Sequence, residues 1–427
     1  MLVELKISNF RSFKDEVVFS MEPLSLNGKN KKEARKNLAE TSFSKIPYVY
    51  KTSGIFGPNA SGKTNVIMAA IYLKYVVSRG SVFSKDDKFP DERYKFSKEY
   101  SKKPTCLNLK FIKNFRLYEY EICLTDEKVI YERAFYSDFS KTGSKKKNRV
   151  FSRELCEDNS YEFSLSKGLK KTWCKELLPQ RVFLSDMVNN RGADKKEVLD
   201  IYDFIERDIY ITNTNSEVSY FNVMEKMEKD DEVRKKIVDF TKTADLGLYD
   251  ITVKRKSKEE FFRSMPFTEK LDQNKKDELF NKISPIKAMS HHKTEDGNIV
   301  EMDFVNESDG TKTYLSFSYA VLNALKQGKV LFVDELDASL HPYLVKNLVN
   351  MFNNSDTGAQ LIFTSHAHYL MDGKALTRDQ IWFTSKENGY YTDLFPLSDF
   401  DEERTRTDFY KSYMRGIYGA VPRVTEL

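Results

Sequence analysis

One stretch limits this chain to few folds. Gly57-Pro58-Asn59-Ala60-Ser61-Gly62-Lys63-Thr64 satisfies the pattern GxxxxGK[ST]. Tyr48 to Phe56 before it reads as a buried strand, and Ile67, Ala70, Ile71 and Lys74 after it recur at helical spacing. Strand, glycine loop and helix thus occur in the order that phosphate binding requires. The glycines let backbone N–H groups close around phosphate oxygens at a helix N-terminus, the lysine bridges the β- and γ-phosphates, and the hydroxyl ligates magnesium.

Later segments supply matching parts. Lys329 to Val333 and Leu361 to Thr364 are short continuous apolar runs, as in central strands of a parallel sheet covered on both faces. The first run ends in Asp334-Glu335, which puts one carboxylate near a magnesium ion and the next where an attacking water would sit. Glu335 is therefore the candidate general base. About twenty residues before Asp334, Glu307-Ser308-Asp309-Gly310-Thr311-Lys312 lets Ser308 and Gly310 offer a hydroxyl and a backbone N–H to a phosphate at a helix start. Taken alone, that hexapeptide is also an ordinary turn leading into a helix. His366 follows the last apolar run, where an imidazole can sense a γ-phosphate, while His341 and His368 rank below it. The pair His291-His292 has no carboxylate at a spacing that suggests a metal site.

The rest of the chain fills in around these motifs. Val3, Leu5 and Ile7 share one face and lead through Asn9-Phe10-Arg11-Ser12-Phe13 to Val17-Val18-Phe19, which predicts two strands joined by a turn. Asn27 to Ser44 is polar and lysine-rich and reads as a loop. Alternating runs between Cys106 and Tyr136 predict antiparallel strands. Gly143 to Arg149, with Lys145-Lys146-Lys147, reads as an exposed connection. Lys195 to Phe280 is charge-dense, holds Pro266, and has Val233, Ile237 and Phe240 at helical spacing, so it reads mainly as helices with a short strand near Ile251-Val253.

Composition adds exclusions. The net charge of +5 comes from 69 basic and 64 acidic side chains, a mild excess that does not point to nucleic acid. No window approaches a membrane span, and no charged segment followed by an apolar block opens the chain, so a cytoplasmic protein without a membrane partner is expected. Cys106, Cys123, Cys156 and Cys174 form no CxxC pair and read as idle thiols.

In the order GPNASGKT, ESDGTK, VLFVDELDASLHP and FTSHA, with ISNFRSF at the start, the chain resembles the ABC-type ATPase heads of the RecF/SMC/OLD group. Within that group it is most similar to prokaryotic AAA-family ATPases of abortive-infection and phage-defence systems. Ala244-Asp245-Leu246-Gly247, His291 to Gly297 and Tyr413 to Pro422 also look like marks of that family, without a chemical account from the residues themselves. The resemblance implies an α/β fold: an ABC-type P-loop ATPase head with a mixed central sheet, an antiparallel lobe and a helical insertion. The expected division is residues 1–190 for the first half of the head, 191–285 for the insertion and 286–427 for the second half.

The same resemblance implies a head-to-tail homodimer, or a higher homo-oligomer, with ATP and Mg2+ held between subunits. Lys63 and Thr64 hold phosphate and metal, Asp334 supports the metal, Glu335 is the base, Ser308 and Gly310 reach the γ-phosphate in trans, and His366 is the switch histidine. Such heads usually present a glutamine near magnesium, but the first glutamine here is Gln180, in no matching context. Arg11 and Phe13 are expected near the nucleotide. Three functions follow as expectations. The first is an ATPase that controls a separate effector, a nuclease or toxin; about sixty residues follow His366, too few for the nuclease domain that OLD-type proteins carry there. The second is an ATPase acting directly on DNA, and the third is an ATP-binding scaffold without turnover.

Overall fold

The computed structural model describes residues 1–24, 35–138, 146–213, 217–263, 265, 268, 271–282, 285–386, 390–400 and 409–422. The chain folds as two compact units. The first comprises Met1–Ile211, Ala324–Asp334 and Lys346–Leu427, and the second comprises Thr212–Asn323 and Glu335–Val345.

In the first unit, β1 (Leu2–Ser8) and β2 (Val17–Ser20) form the expected antiparallel pair. They continue a sheet with β6 (Thr105–Lys113), β7 (Arg116–Leu124), β8 (Val129–Asp138), β9 (Asn148–Leu155) and β10 (Tyr161–Leu165), in the order β10-β9-β8-β7-β6-β1-β2. Leu107, Leu109 and Phe111 of β6 alternate inward, which is the period-two pattern legible in the sequence. Between β6 and β7 both loop residues, Asn114 and Phe115, have positive φ, as a two-residue hairpin turn that matches strand twist requires.

Two expectations are corrected in this sheet. Cys106 and Cys123 stand directly opposite in the β6–β7 register with Cα atoms 4.1 Å apart, and they are joined as a disulfide. Asn148 and Arg149 lie in β9 instead of an exposed connection, and Lys147 reaches Glu119 at 2.6 Å while lying 4.1 Å from the Phe135 ring centroid. Gly143 to Lys145 lie outside the described residues.

The second sheet of this unit runs β11 (Ile209–Asn213), β15 (Val330–Asp334), β16 (Gln360–Thr364), β5 (Thr52–Phe56), β17 (Ile381–Ser385), β18 (Asp393–Pro396). β15, β16, β5 and β17 are parallel, and β18 is antiparallel to β17, so the sheet is mixed. Every residue of β5, β16 and β17 is buried, their apolar runs being Ile55-Phe56, Leu361 to Phe363 and Ile381 to Phe383. The predicted strand Tyr48 to Phe56 is in fact two. Lys51 interrupts it, with its ammonium donating to Asn353 O at 3.1 Å. Its first part belongs to β4 (Ile46–Tyr50), which pairs with β3 (Leu38–Phe43), so this part of the expected Asn27 to Ser44 loop is a strand.

Two buried polar side chains tie the helix Phe183–Asn189 and the segment before it to the first sheet. Glu132 on β8, fully buried, accepts from the Phe183 and Leu184 N–H groups at 2.7 and 2.9 Å, filling the open N-terminus of that helix. Arg153 on β9, equally buried, donates to the Arg181 and Leu178 carbonyls.

In the second unit, the helices Glu217–Lys229 and Asp231–Lys242 accompany a sheet of β12 (Asp250–Arg255), β13 (Ile286–Lys293) and β14 (Ile299–Asp303). Asp230 caps the second helix by accepting from the Glu232 and Val233 N–H groups. Ile237 and Val238 join Ile251, Phe304 and Leu315 in a separate apolar core, each side chain worth about 1.5–3 kcal/mol of burial. The helices and the strand at Ile251-Val253 are those expected, while Pro266 lies outside the described residues. Among the described residues no helix is long and apolar enough to cross a membrane.

Candidate functional site

The glycine loop joins β5 to the helix Lys63–Arg79. Gly57, Ala60 and Gly62 have φ of 144°, 60° and 109°. Gly62, the residue before the helix, is left-handed and offers no side-chain cap to the first turn. Lys63 turns back into the loop and donates to Gly57 O at 2.9 Å and Pro58 O at 3.0 Å.

Neighbouring strands bring the other groups to the same edge, because parallel strands all end on one side of the sheet. At the end of β15, Asp334 Oδ1 accepts from Thr64 Oγ1 at 3.1 Å and from Thr364 Oγ1, at the end of β16, at 2.6 Å. His366 lies two residues past β16 and is exposed. Thus Lys63, Thr64 and Asp334 come together in the first unit, with Thr364 as a member that sequence reading passed over.

Further supports were invisible in the sequence. Thr384 Oγ1 on β17 lies 2.6 Å from Ser61 Oγ, and Thr392 Oγ1 lies 2.7 Å from both Ser61 O and Ser12 Oγ. Asn65 Nδ2 donates to Ser12 Oγ at 2.6 Å. Ser12 is therefore the residue of ISNFRSF that touches the loop: Arg11 is paired with Glu92 at 2.8 Å, and Phe13 is buried. A Cβ on Gly57 or Gly62 would collide with Thr384 or Thr392, so both positions need glycine for space as well as for φ. Gln180 donates to Lys85 O at 3.0 Å.

The second unit carries the remaining candidates. Ser308 Oγ accepts from the Thr311 N–H at 3.1 Å, which makes it the cap of the helix Asp309–Gln327. A Cβ on Gly310 would lie 2.8 Å from Ser339 O, so the helix start and the turn after Asp334 meet backbone to backbone. Glu335 opens that turn with φ of 54°, and Ser339 within it has φ of 57°. Such backbone is costly for non-glycine residues and clusters at functional sites. His341, the secondary candidate, stacks on Tyr343.

The family marks also acquire structure. His291 and His292, on β13, face carboxylates that their spacing did not reveal: Glu301 lies 3.7 Å from His291 Nδ1, and Glu307 lies 2.7 Å from His292 Nε2. His292 Nδ1 is also 3.2 Å from Gly247 O, which links the ADLG turn to the segment before Ser308. No group of three or more His, Cys, Asp or Glu side chains suited to a metal occurs among the described residues. In the first unit, Tyr413 of the C-terminal mark stacks on Phe383, bonds Ala420 O at 2.8 Å and packs against His368 with ring centroids 4.5 Å apart. The segment after His366 thereby rests on the C-terminal helix Phe409–Met414.

Residues 193–372 match the family described as "AAA domain, putative AbiEii toxin, Type IV TA system". Over those residues the chain is similar to an AAA domain. The AAA match contains Ser308, Gly310, Asp334, Glu335 and His366, and the glycine loop lies before it in the chain. Among solved structures, the chain is similar to an SMC head domain from Thermotoga maritima, at 14% identity over 92% of this chain and 98% of that one, with a TM-score of 0.42. It is similar to an SMC head bound to the C-terminal winged-helix domain of ScpA, at 14% identity over 93% and 98%, TM-score 0.43. An SMC head with an extended coiled coil, bound to a ScpA C-terminal domain derived from Pyrococcus furiosus, is similar at 11% identity over 93% and 97%, TM-score 0.41. A search of curated proteins returns no match.

Proposed function

We propose that this chain binds ATP with magnesium, hydrolyses it across a cytoplasmic homodimer, and through that cycle controls a separate effector in a prokaryotic abortive-infection system. The observation that carries the ATPase reading is the convergence of Thr64 and Thr364 on the Asp334 carboxylate, directly beside the glycine loop. A hydroxyl and a carboxylate make a hard-oxygen set that suits magnesium. When bound there, magnesium neutralises charge on the β- and γ-phosphates. Lys63 swings from the Gly57 and Pro58 carbonyls to the phosphates, and the first-turn N–H groups hold their oxygens. Glu335, directly after Asp334, takes a proton from the attacking water. Ser308 and the helix start at Gly310 reach the γ-phosphate from the other subunit, and His366 senses it. Dimerisation then depends on the γ-phosphate, so turnover toggles an assembly.

The defence setting is supported by the toxin–antitoxin description of the matched family and by the motif order. In the test, wild type and Glu335→Gln are compared for ATP turnover, nucleotide binding and mass in solution. Turnover falls about 10²–10⁴-fold in the variant, binding persists, and ATP produces a dimer. Equal turnover in both proteins would remove Glu335 as the base. If the purified chain cuts DNA or kills cells unaided, a separate effector is not needed and that part of the reading fails.

A further inference from the structure

His292 holds two acceptors at once. Its Nε2 lies 2.7 Å from Glu307 Oε1 and its Nδ1 lies 3.2 Å from Gly247 O. A carbonyl and a carboxylate only accept, and a neutral imidazole donates from one nitrogen alone. Glu307 immediately precedes Ser308 and its side chain is 8% exposed, so holding it in place fixes the start of the capped turn. The other anchor is equally specific. Gly247 ends the Ala244–Gly247 turn in a left-handed conformation with φ of 70°, and Asp245 within it has φ of 51°.

We propose that His292 is the positioning residue of the Ser308 turn, its ring clamping Glu307 to the Gly247 turn. The clamp rests on the function proposed above for the consequence it has on ATP turnover, but not for its own existence. Other charged groups around the ring come from each packed element. His291 with Glu301 lies on the same hairpin, and Lys293 and Lys242 both lie over the Tyr249 ring, at 4.5 and 5.6 Å. None of these replaces the bond to Glu307. Removing the ring therefore loosens the Ser308 turn while leaving the glycine loop of the first unit intact.

The test compares wild type, His292→Gln and Glu307→Gln in the full-length chain. Amide hydrogen exchange over residues 305–312, without nucleotide and at matched pH, reads the clamp directly. Exchange in His292→Gln is faster by about tenfold, the size expected when a charge-assisted bond is lost. Fluorescent-nucleotide binding to the loop stays unchanged, while ATP turnover falls in both variants. Equal exchange in wild type and His292→Gln overturns the clamp. If exchange responds but wild type hydrolyses no ATP, the clamp stands and the ATPase reading falls.

Discussion

Thr392 offers a sharp test of how the glycine loop is held. Its hydroxyl is the donor toward both the Ser61 carbonyl and Ser12 Oγ, one proton shared between two acceptors. Asn65 Nδ2 donates to the same Ser12 Oγ, so one network joins Asn65, Ser12, Thr392 and the Ser61 carbonyl. Thr392→Val keeps the shape but strands a loop carbonyl and the Ser12 hydroxyl, both in buried surroundings. A buried polar group left without its partner costs about 1–3 kcal/mol, and about 1.4 kcal/mol is a factor of ten. If the loop relaxes away from its phosphate-ready form to recover those bonds, the cost appears as nucleotide affinity, roughly ten- to hundredfold weaker. Thr392→Ser keeps the hydroxyl and binds like wild type. Titration with a fluorescent ATP analogue measures the affinities, and thermal melting separates a local effect from a global one. A valine variant that binds within about twofold of wild type would refute the claim that this hydroxyl chain shapes the loop.

Two further outcomes are expected. Gly310→Ala puts a Cβ 2.8 Å from Ser339 O, an overpacking worth about 1–3 kcal/mol; ATP turnover should drop while nucleotide binding to the loop stays within about twofold, and unchanged turnover would argue against a tight helix start. Burial raises the Glu132 carboxyl above the usual carboxylate range, against the pull of the Leu184 N–H, Arg153, the Phe183 N–H and the Tyr120 hydroxyl. A raised carboxyl pKa costs stability as pH climbs from the unfolded carboxylate range through the folded value, so the Tm difference between Glu132→Gln and wild type should move in favour of the variant as pH rises from about 4. Parallel melting curves across that range would contradict it.

What the sequence determined by itself is local or periodic. Gly57 to Thr64 is contiguous, and its glycines, lysine and threonine act through backbone and side chains only a few bonds apart. β15 and β16 were legible because strands covered on both faces must be apolar throughout. β3, β9 and the break at Lys51 were not, because strands that mix polar with apolar residues and a buried lysine bonded to a distant carbonyl leave no periodic trace. Only tertiary structure could bring Thr384 and Thr392 onto a loop more than three hundred residues earlier. It also set Glu307 against His292 and Cys123 opposite Cys106. In each case the partner is chosen by sheet register or by the meeting of separate elements, and neither is written in the spacing of the residues along the chain.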